Sequence, residues 1–147
     1  MAINAAIIVV VVLGIRIWQQ RDVVNGAAPQ LPGVTWNKPA TLVHFWATWC
    51  PVCRAEQSSI EAIAKDYPNT ITVAMQSDSD AAIGKFMREQ SLSFPVINDA
   101  DSHLSQAWGV HAVPASFIVD SKGQIRFVEF GYTTSLGLRL RLWLAQF

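Results

Sequence analysis

Apolar runs of strand length alternate along the chain with segments of helical periodicity, and this order predicts an α/β fold. In the helical segments the apolar residues recur every three or four positions, whereas the strand segments are continuous or alternating. Strands are expected over residues 41–47, 70–75, 94–97, 115–119 and 125–130. Helices are expected over residues 51–67, 80–90 and 101–108. Strands alternating with helices and closed by a hairpin indicate a central mixed sheet flanked by helices.

The last segment of the chain fits two structures. Every second residue from Leu136 to Leu144 is leucine, which is the period of a strand. A stripe at helical spacing is also present, formed by Leu136, Leu140, Trp143 and Phe147. The pattern alone leaves both structures open.

The N-terminal segment is strongly apolar and predicts a membrane-anchor helix. Ala5 to Ile15 carry no polar side chain, and Arg16 is the only charged residue among the first twenty. A helix from Ala2 to Trp18 spans roughly 25 Å, slightly less than a ~30 Å hydrocarbon core. A signal peptide and a buried core helix are the alternatives.

These patterns divide the chain into three parts. Residues 1–20 are the predicted membrane anchor or uncleaved signal, and residues 21–39, which are rich in glycine and proline, are a linker and lead-in. Residues 40–147 form the predicted globular domain.

Composition excludes some classes of protein. Eleven basic and eleven acidic residues give a net charge of zero, which argues against a nucleic-acid-binding protein. Hydrophobic residues make up 51% of the chain, so it can bury a core and is not disordered. Two cysteines are too few for a disulfide-stapled scaffold or a four-cysteine zinc site.

Both cysteines lie in one C-x-x-C motif where a predicted strand turns into a helix. Cys50 stands at the helix N-terminus, where free backbone N–H groups and the helix dipole favour a thiolate. Cys53 lies one turn further on the same side, close enough to resolve a mixed disulfide. We therefore expect an exposed, reactive Cys50 sulfur, with Trp49 shielding it. A structural disulfide or half of a metal site are the alternatives.

Two further residues flank the motif in the predicted fold. Glu56 lies on the helix face that carries Cys53 and the apolar positions, where a carboxylate could exchange a proton with the resolving thiol. His44 lies in the preceding strand and is a candidate proton relay beneath Cys53, or else a satisfied core histidine.

The segments FWATWCPVCRAE at residues 45–56 and GVHAVPASFIVD at residues 109–120 resemble the thioredoxin superfamily. Within it the chain is similar to the membrane-anchored TlpA/ResA-like disulfide oxidoreductases, particularly the suppressor-of-copper-sensitivity group. The resemblance covers residues 40–147 and implies a thioredoxin fold on the extracytoplasmic side of a bacterial membrane. Glu56 matches a glutamate of the TlpA/ResA-like group, and His44 stands where cytoplasmic thioredoxins carry a buried aspartate.

The resemblance also implies a substrate surface beside the cysteines. Pro114 corresponds to the family's cis-proline, and the backbone of Val113 is expected to pair with an incoming substrate strand. Trp49 completes the expected substrate-binding residues. Pro114 is followed by Ala115 and Ser116 where the cytochrome c maturation branch carries Glu-Thr.

The expected function is thiol–disulfide exchange with extracytoplasmic proteins, with Cys50, Cys53 and Glu56 as catalytic residues. No cofactor or metal is expected, and a membrane electron donor is the expected redox partner. The expected location is the bacterial inner membrane, as a single-pass protein whose catalytic domain faces the periplasm. A copper-binding or copper-tolerance module that uses the same cysteines, or a cytochrome c maturation thioredoxin, are the alternatives.

Overall fold

The computed structural model of the chain describes residues 2–20 and 23–147. Its helices are α1 (Ala2–Gln20), α2 (Pro51–Asp66), α3 (Asp80–Glu89), α4 (His103–Ala107) and α5 (Ser135–Leu144). Its strands are β1 (Ala40–Trp46), β2 (Thr70–Met75), β3 (Val96–Asp99), β4 (Ala115–Asp120) and β5 (Ile125–Phe130).

The five strands form one mixed sheet in the order β3-β2-β1-β4-β5. β1 pairs in parallel with β2, and β2 in parallel with β3, whereas β4 is antiparallel to both β1 and β5. The central strand β1 is buried along its whole length, as its continuous apolar sequence predicts. The predicted mixed sheet with flanking helices is therefore confirmed.

Each face of the sheet carries its own apolar core. On one face, Leu42 and Trp46 of β1 pack with residues of α2, α3 and α5. On the other face, Val43 and Phe45 pack with Trp108, which follows α4. Because side chains alternate along a strand, His44 lies on the same face as Leu42 and Trp46, beneath α2 and α5.

One strand begins later than predicted, and the C-terminal segment takes one of the two structures that its pattern left open. β3 begins at Val96, two residues later than predicted, since Phe94 packs into the core and Pro95 has no backbone N–H to donate. The C-terminal segment is a helix. It buries Leu138 and Leu142 and leaves the stripe formed by Leu136, Leu140, Trp143 and Phe147 exposed.

The segment before β1 has little regular structure but belongs to the core. Val23, Ala28 and Leu31 are buried against the sheet face that carries Phe45, and Ala27 forms a bridge with Gln124. The boundaries 1–20, 21–39 and 40–147 stay a prediction.

The predicted anchor segment forms the helix α1, whose apolar side chains are exposed from Ile7 to Leu13. Among the helices within residues 2–20 and 23–147, none has the length and apolar character needed to cross a membrane. The predicted transmembrane helix is therefore not supported.

Candidate active site

Cys50 and Cys53 form a disulfide at the N-terminus of α2, with their Cα atoms 5.3 Å apart. Cys50 is the N-cap residue, and its Sγ atom accepts a hydrogen bond of 3.1 Å from the backbone N–H of Cys53. Pro51 follows at the first helical position, where its lack of an N–H costs nothing. The helix end therefore directs the Cys53 N–H at the sulfur, which is the arrangement that stabilises a Cys50 thiolate.

The cysteine pair is more enclosed than the sequence suggests. Cys50 is 4% exposed and Cys53 is 1% exposed, so the expectation of an exposed Cys50 sulfur is wrong. The reason is the loop before β4, because Cys50 Sγ lies 3.7 Å from the backbone oxygen of Val113. Val113 is half-buried, Pro114 is buried, and the bond between them is cis.

Trp49 lies beside this enclosed pair and stays 56% exposed. Its indole N–H donates to the backbone oxygen of Gln76 at 3.0 Å, which ties the α2 entry to the loop after β2. The same loop holds the backbone of Thr48, whose N–H donates to the Ser77 hydroxyl at 3.0 Å. Trp49 and the 45% exposed Val52 thus form an apolar surface around the disulfide.

Glu56 lies on the buried face of α2, one turn beyond Cys53, as expected from the helical spacing. Its side chain is 1% exposed, and its Oε2 atom accepts a hydrogen bond of 2.9 Å from the backbone N–H of Thr133. Its Oε1 atom has no hydrogen-bond partner. Burial raises the pKa of Glu56 to about 7, and the Thr133 hydrogen bond opposes that rise.

His44 is the neighbour of that unbonded oxygen. His44 Nε2 lies 3.4 Å from Glu56 Oε1, and His44 Nδ1 lies 2.9 Å from the hydroxyl of Ser116. Burial lowers the pKa of the His44 imidazole to about 3, so the ring is neutral at physiological pH. The contact therefore joins a neutral imidazole to a carboxyl group that titrates near neutrality, and it is not a charged ion pair.

Sequence patterns do not predict the two residues that contact His44 and Glu56, which are Ser116 and Thr133. Ser116 reaches His44 only because β4 pairs with β1 in a register that sets the two residues opposite each other. Thr133 reaches Glu56 across 77 residues of sequence, from the turn between β5 and α5. Within the described ranges, no group of three or more metal-ligating side chains occurs.

Comparisons with known proteins find a matching family and several relatives. The AhpC/TSA family profile matches residues 31–128. The chain is 31% identical over 123 residues to a thioredoxin-like protein of Haemophilus influenzae, covering 84% of this chain and 72% of that protein. It is 25% identical over 105 residues to the sporulation thiol-disulfide oxidoreductase A of Bacillus subtilis, covering 67% of this chain and 64% of that protein.

Among solved structures, DsbF of Mycobacterium tuberculosis in its mixed oxidized and reduced forms is 27% identical, with a TM-score of 0.64 over 72% of this chain and 80% of that chain. The chain thus spans about two thirds of the length of the two curated relatives. These matches confirm the resemblance on which the site was predicted. The chain belongs to the AhpC/TSA family of thioredoxin-like proteins.

Proposed function

We propose that this chain exchanges disulfides with extracytoplasmic protein substrates through Cys50 and Cys53. The observation that carries the proposal is the Cys50–Cys53 disulfide at the first turn of α2, with the Cys53 N–H directed at the Cys50 sulfur. A sulfur held in this way is stabilised as a thiolate, which is both the attacking and the leaving form in exchange. The thiol–disulfide oxidoreductase relatives support the same activity.

The reaction follows from the order of the two sulfurs. In the reduced protein, the Cys50 thiolate attacks a substrate disulfide, a Cys50–substrate bond forms, and one substrate thiolate leaves. Cys53 then attacks Cys50 Sγ, which restores the Cys50–Cys53 disulfide and releases the second substrate thiolate. Glu56 accepts the proton that Cys53 loses in this step. Two electrons pass to the substrate, and the reverse sequence oxidises a substrate dithiol.

Substrate recognition is assigned to the surface around the pair. The Val113 carbonyl, 3.7 Å from Cys50 Sγ, lies where a bound substrate chain could form a backbone hydrogen bond near the sulfurs. Pro114 adds no backbone N–H to this edge. The exposed Trp49 ring supplies apolar contact area for an unfolded or extended segment.

An insulin-reduction assay with dithiothreitol tests the activity on the wild type and on Cys50→Ser and Cys53→Ser. Both variants should lose turnover, and a metal analysis of the purified reduced protein tests the copper-binding alternative. Wild-type protein that does not accelerate insulin reduction, or that binds Cu(I) stoichiometrically and exchanges no disulfide, would contradict the proposal.

The proposed location is the extracytoplasmic side of a bacterial membrane, with α1 associated with the lipid surface. The exposed apolar side chains of α1 support membrane association, and a reactive disulfide suits an oxidising compartment. After each cycle the Cys50–Cys53 disulfide must be reduced by an external dithiol. We propose that a membrane electron donor supplies this dithiol. Fractionation of native membranes in low-salt buffer, followed by protease treatment of spheroplasts, tests the membrane association and the orientation. Recovery of the protein in the soluble fraction, or protection of the domain in spheroplasts, would contradict them.

A further inference from the structure

A row of polar side chains crosses the sheet on the face covered by α2 and α5. Strand register places Thr72, His44, Ser116 and Glu129 opposite one another on β2, β1, β4 and β5. Residues directly opposite each other on neighbouring strands project from the same face of the sheet. Along β1 the row is bounded by the buried side chains of Leu42 and Trp46, so it is a polar path through an apolar core.

The inner end of the row meets Glu56. His44 uses both ring nitrogens, because Nε2 lies 3.4 Å from Glu56 Oε1 and Nδ1 lies 2.9 Å from Ser116 Oγ. Thr72, on the other side of His44, is engaged elsewhere: its hydroxyl lies 2.8 Å from the Pro95 oxygen and accepts from the Trp46 indole. The unbroken series of side-chain contacts therefore runs from Glu56 through His44 to Ser116.

The outer end of the row reaches solvent. Glu129, opposite Ser116, has a side chain that is 24% exposed and paired with Arg141 of α5. The titratable or charged groups of the described residues that face the row are thus Cys53 and Glu56 from α2, Glu129 from β5 and Arg141 from α5. Arg141 and Glu129 neutralise each other at the rim, where water can exchange protons with them.

The reacting groups need such a route because they are enclosed. Cys53 and Glu56 are each 1% exposed, and a substrate bound over Cys50 closes the remaining side. A proton that Cys53 gives to Glu56 must leave before the next cycle, and charge isolated in an apolar interior is costly. Imidazole can accept a proton at one nitrogen and release one at the other, so it never has to persist as a buried cation.

We propose that His44 and Ser116 pass the proton of the resolving step between Glu56 and the solvent-facing rim at Glu129. This inference rests on the proposed function. Protonated Glu56 donates to His44 Nε2 while Nδ1–H donates to Ser116 Oγ, and the Ser116 hydroxyl proton passes to water at the rim. One proton enters and one leaves, the imidazole changes tautomer, and no electron moves. The same residues act in reverse when Cys53 is the leaving thiolate, and they act through Glu56 without touching the sulfurs.

Single-turnover kinetics on the full chain test the relay, with mixed-disulfide formation and its resolution measured separately from pH 6 to 9. Ser116→Ala preserves the packing and should slow resolution about tenfold at pH 7, with formation changed less than about twofold. The solvent deuterium isotope effect on resolution should rise in the variant. His44→Gln is expected to behave likewise.

Ser105→Ala is the matched control, since Ser105 is a fully buried serine hydrogen-bonded to Asp99 and remote from the row. It should keep the wild-type resolution rate. Unchanged resolution in Ser116→Ala, an unchanged solvent isotope effect on resolution in that variant, or an equal deficit in Ser105→Ala would overturn the relay. Wild-type protein that forms no mixed disulfide would instead overturn the proposed function and the relay with it.

Discussion

The Nε2 atom of His44 lies 3.4 Å from the Oε1 atom of Glu56, and both side chains are almost completely buried. Burial disfavours the charged form of each group, which raises the pKa of Glu56 to about 7 and lowers that of His44 to about 3. Glu56 can therefore gain or lose a proton at physiological pH beside the cysteine pair, while His44 stays neutral. The geometry suits proton exchange better than electrostatic stabilisation.

Glu56→Gln should slow resolution of the mixed disulfide and leave attack by Cys50 nearly unchanged. The amide keeps the shape and the hydrogen bond from Thr133 but cannot accept the Cys53 proton. General-base assistance of this kind is typically worth ~10²–10⁴-fold. Rapid-quench single-turnover kinetics from pH 6 to 8 measure the two steps.

Glu61→Gln on the same helix is the control for the Glu56 substitution. Glu61 is also a buried carboxylate, but it is held by the backbone N–H groups of Ser93 and Phe94, far along α2 from the cysteines. Desolvation by burial raises the pKa of Glu61, but the hydrogen bonds from Ser93 and Phe94 outweigh this effect, and the pKa is lowered. Wild-type resolution in Glu56→Gln, or equal slowing in Glu61→Gln, would contradict a role for Glu56 in proton transfer.

Glu56 and His44 should also oppose each other in the pH dependence of stability. The raised pKa of Glu56 contributes stability that is complete below its ordinary value of 4.5 and lost as pH rises through about 7. The lowered pKa of His44 contributes stability that is present above its ordinary value of 6.5 and lost as pH falls toward about 3. Between pH 4.5 and 6.5 the two slopes cancel in the wild type.

Glu56→Gln should therefore uncover the His44 slope, so that the free energy of unfolding rises with pH by up to about 1.4 kcal/mol per unit between pH 4.5 and 6.5. His44→Asn should uncover the opposite slope. Urea denaturation of the oxidised proteins across pH 4.5 to 8 provides the measurement, and the difference from wild type removes contributions from other groups. A Glu56→Gln curve parallel to that of the wild type would show that burial does not shift the pKa of Glu56, and a parallel His44→Asn curve would show the same for His44.

The chemistry-bearing segment of this site is predictable from local sequence, because the strand ending at Trp46, the C-x-x-C motif and the α2 face carrying Glu56 lie in one continuous stretch. The His44–Ser116 contact is not, since it depends on the register between β1 and β4. The burial of Cys50 also depends on a distant loop, the one containing Val113. Local periodicity fixes which face a residue occupies, and only the tertiary pairing fixes what it meets.

The C-terminal helix shows the same limit. Leucines at both strand and helical periods make its sequence ambiguous, and the structure resolves this by burying Leu138 and Leu142 against the core. The stripe at helical spacing that includes Leu136 and Leu140 faces outward. The choice is made by packing against α2 and β1, which no window of the sequence contains.

Cys53→Ser should trap mixed disulfides with protein partners, whereas Cys50→Ser should trap few. Only Cys50 stands at the helix N-cap, where its sulfur accepts the Cys53 N–H, and the thiolate is the reactive form. Without Cys53, the Cys50–substrate bond has no internal thiol to resolve it. Non-reducing gels of cells expressing each variant, followed by reduction of excised bands, measure trapping. Equal trapping by the two variants would contradict the assignment of Cys50 as the attacking residue and Cys53 as the resolving residue.

Trp49→Ala should weaken recognition of protein substrates more than exchange with a small disulfide. The ring is 56% exposed beside the disulfide, and apolar anchors of this kind often dominate binding. We expect KM for disulfide-bonded protein substrates to rise about tenfold, with the rate toward glutathione disulfide changed less than twofold. Trp143→Ala, at an equally exposed tryptophan of α5, should leave both unchanged. Equal effects of Trp49→Ala on both substrates would remove Trp49 from the binding surface.

Leu31→Ala should destabilise the domain although Leu31 lies in the segment predicted as a linker and lead-in. Its side chain is 3% exposed and packs into the core on the sheet face that carries Phe45, so truncation removes buried apolar contacts and leaves a cavity. Buried Leu→Ala changes typically cost ~2–5 kcal/mol, and we expect a loss of about 2–3 kcal/mol in the free energy of unfolding, measured by urea denaturation at pH 7. Leu136→Ala, at a 77% exposed leucine, should change it by less than about 0.5 kcal/mol. If the two variants are equally stable, residues 23–31 contribute nothing to the folded domain, and it begins at β1.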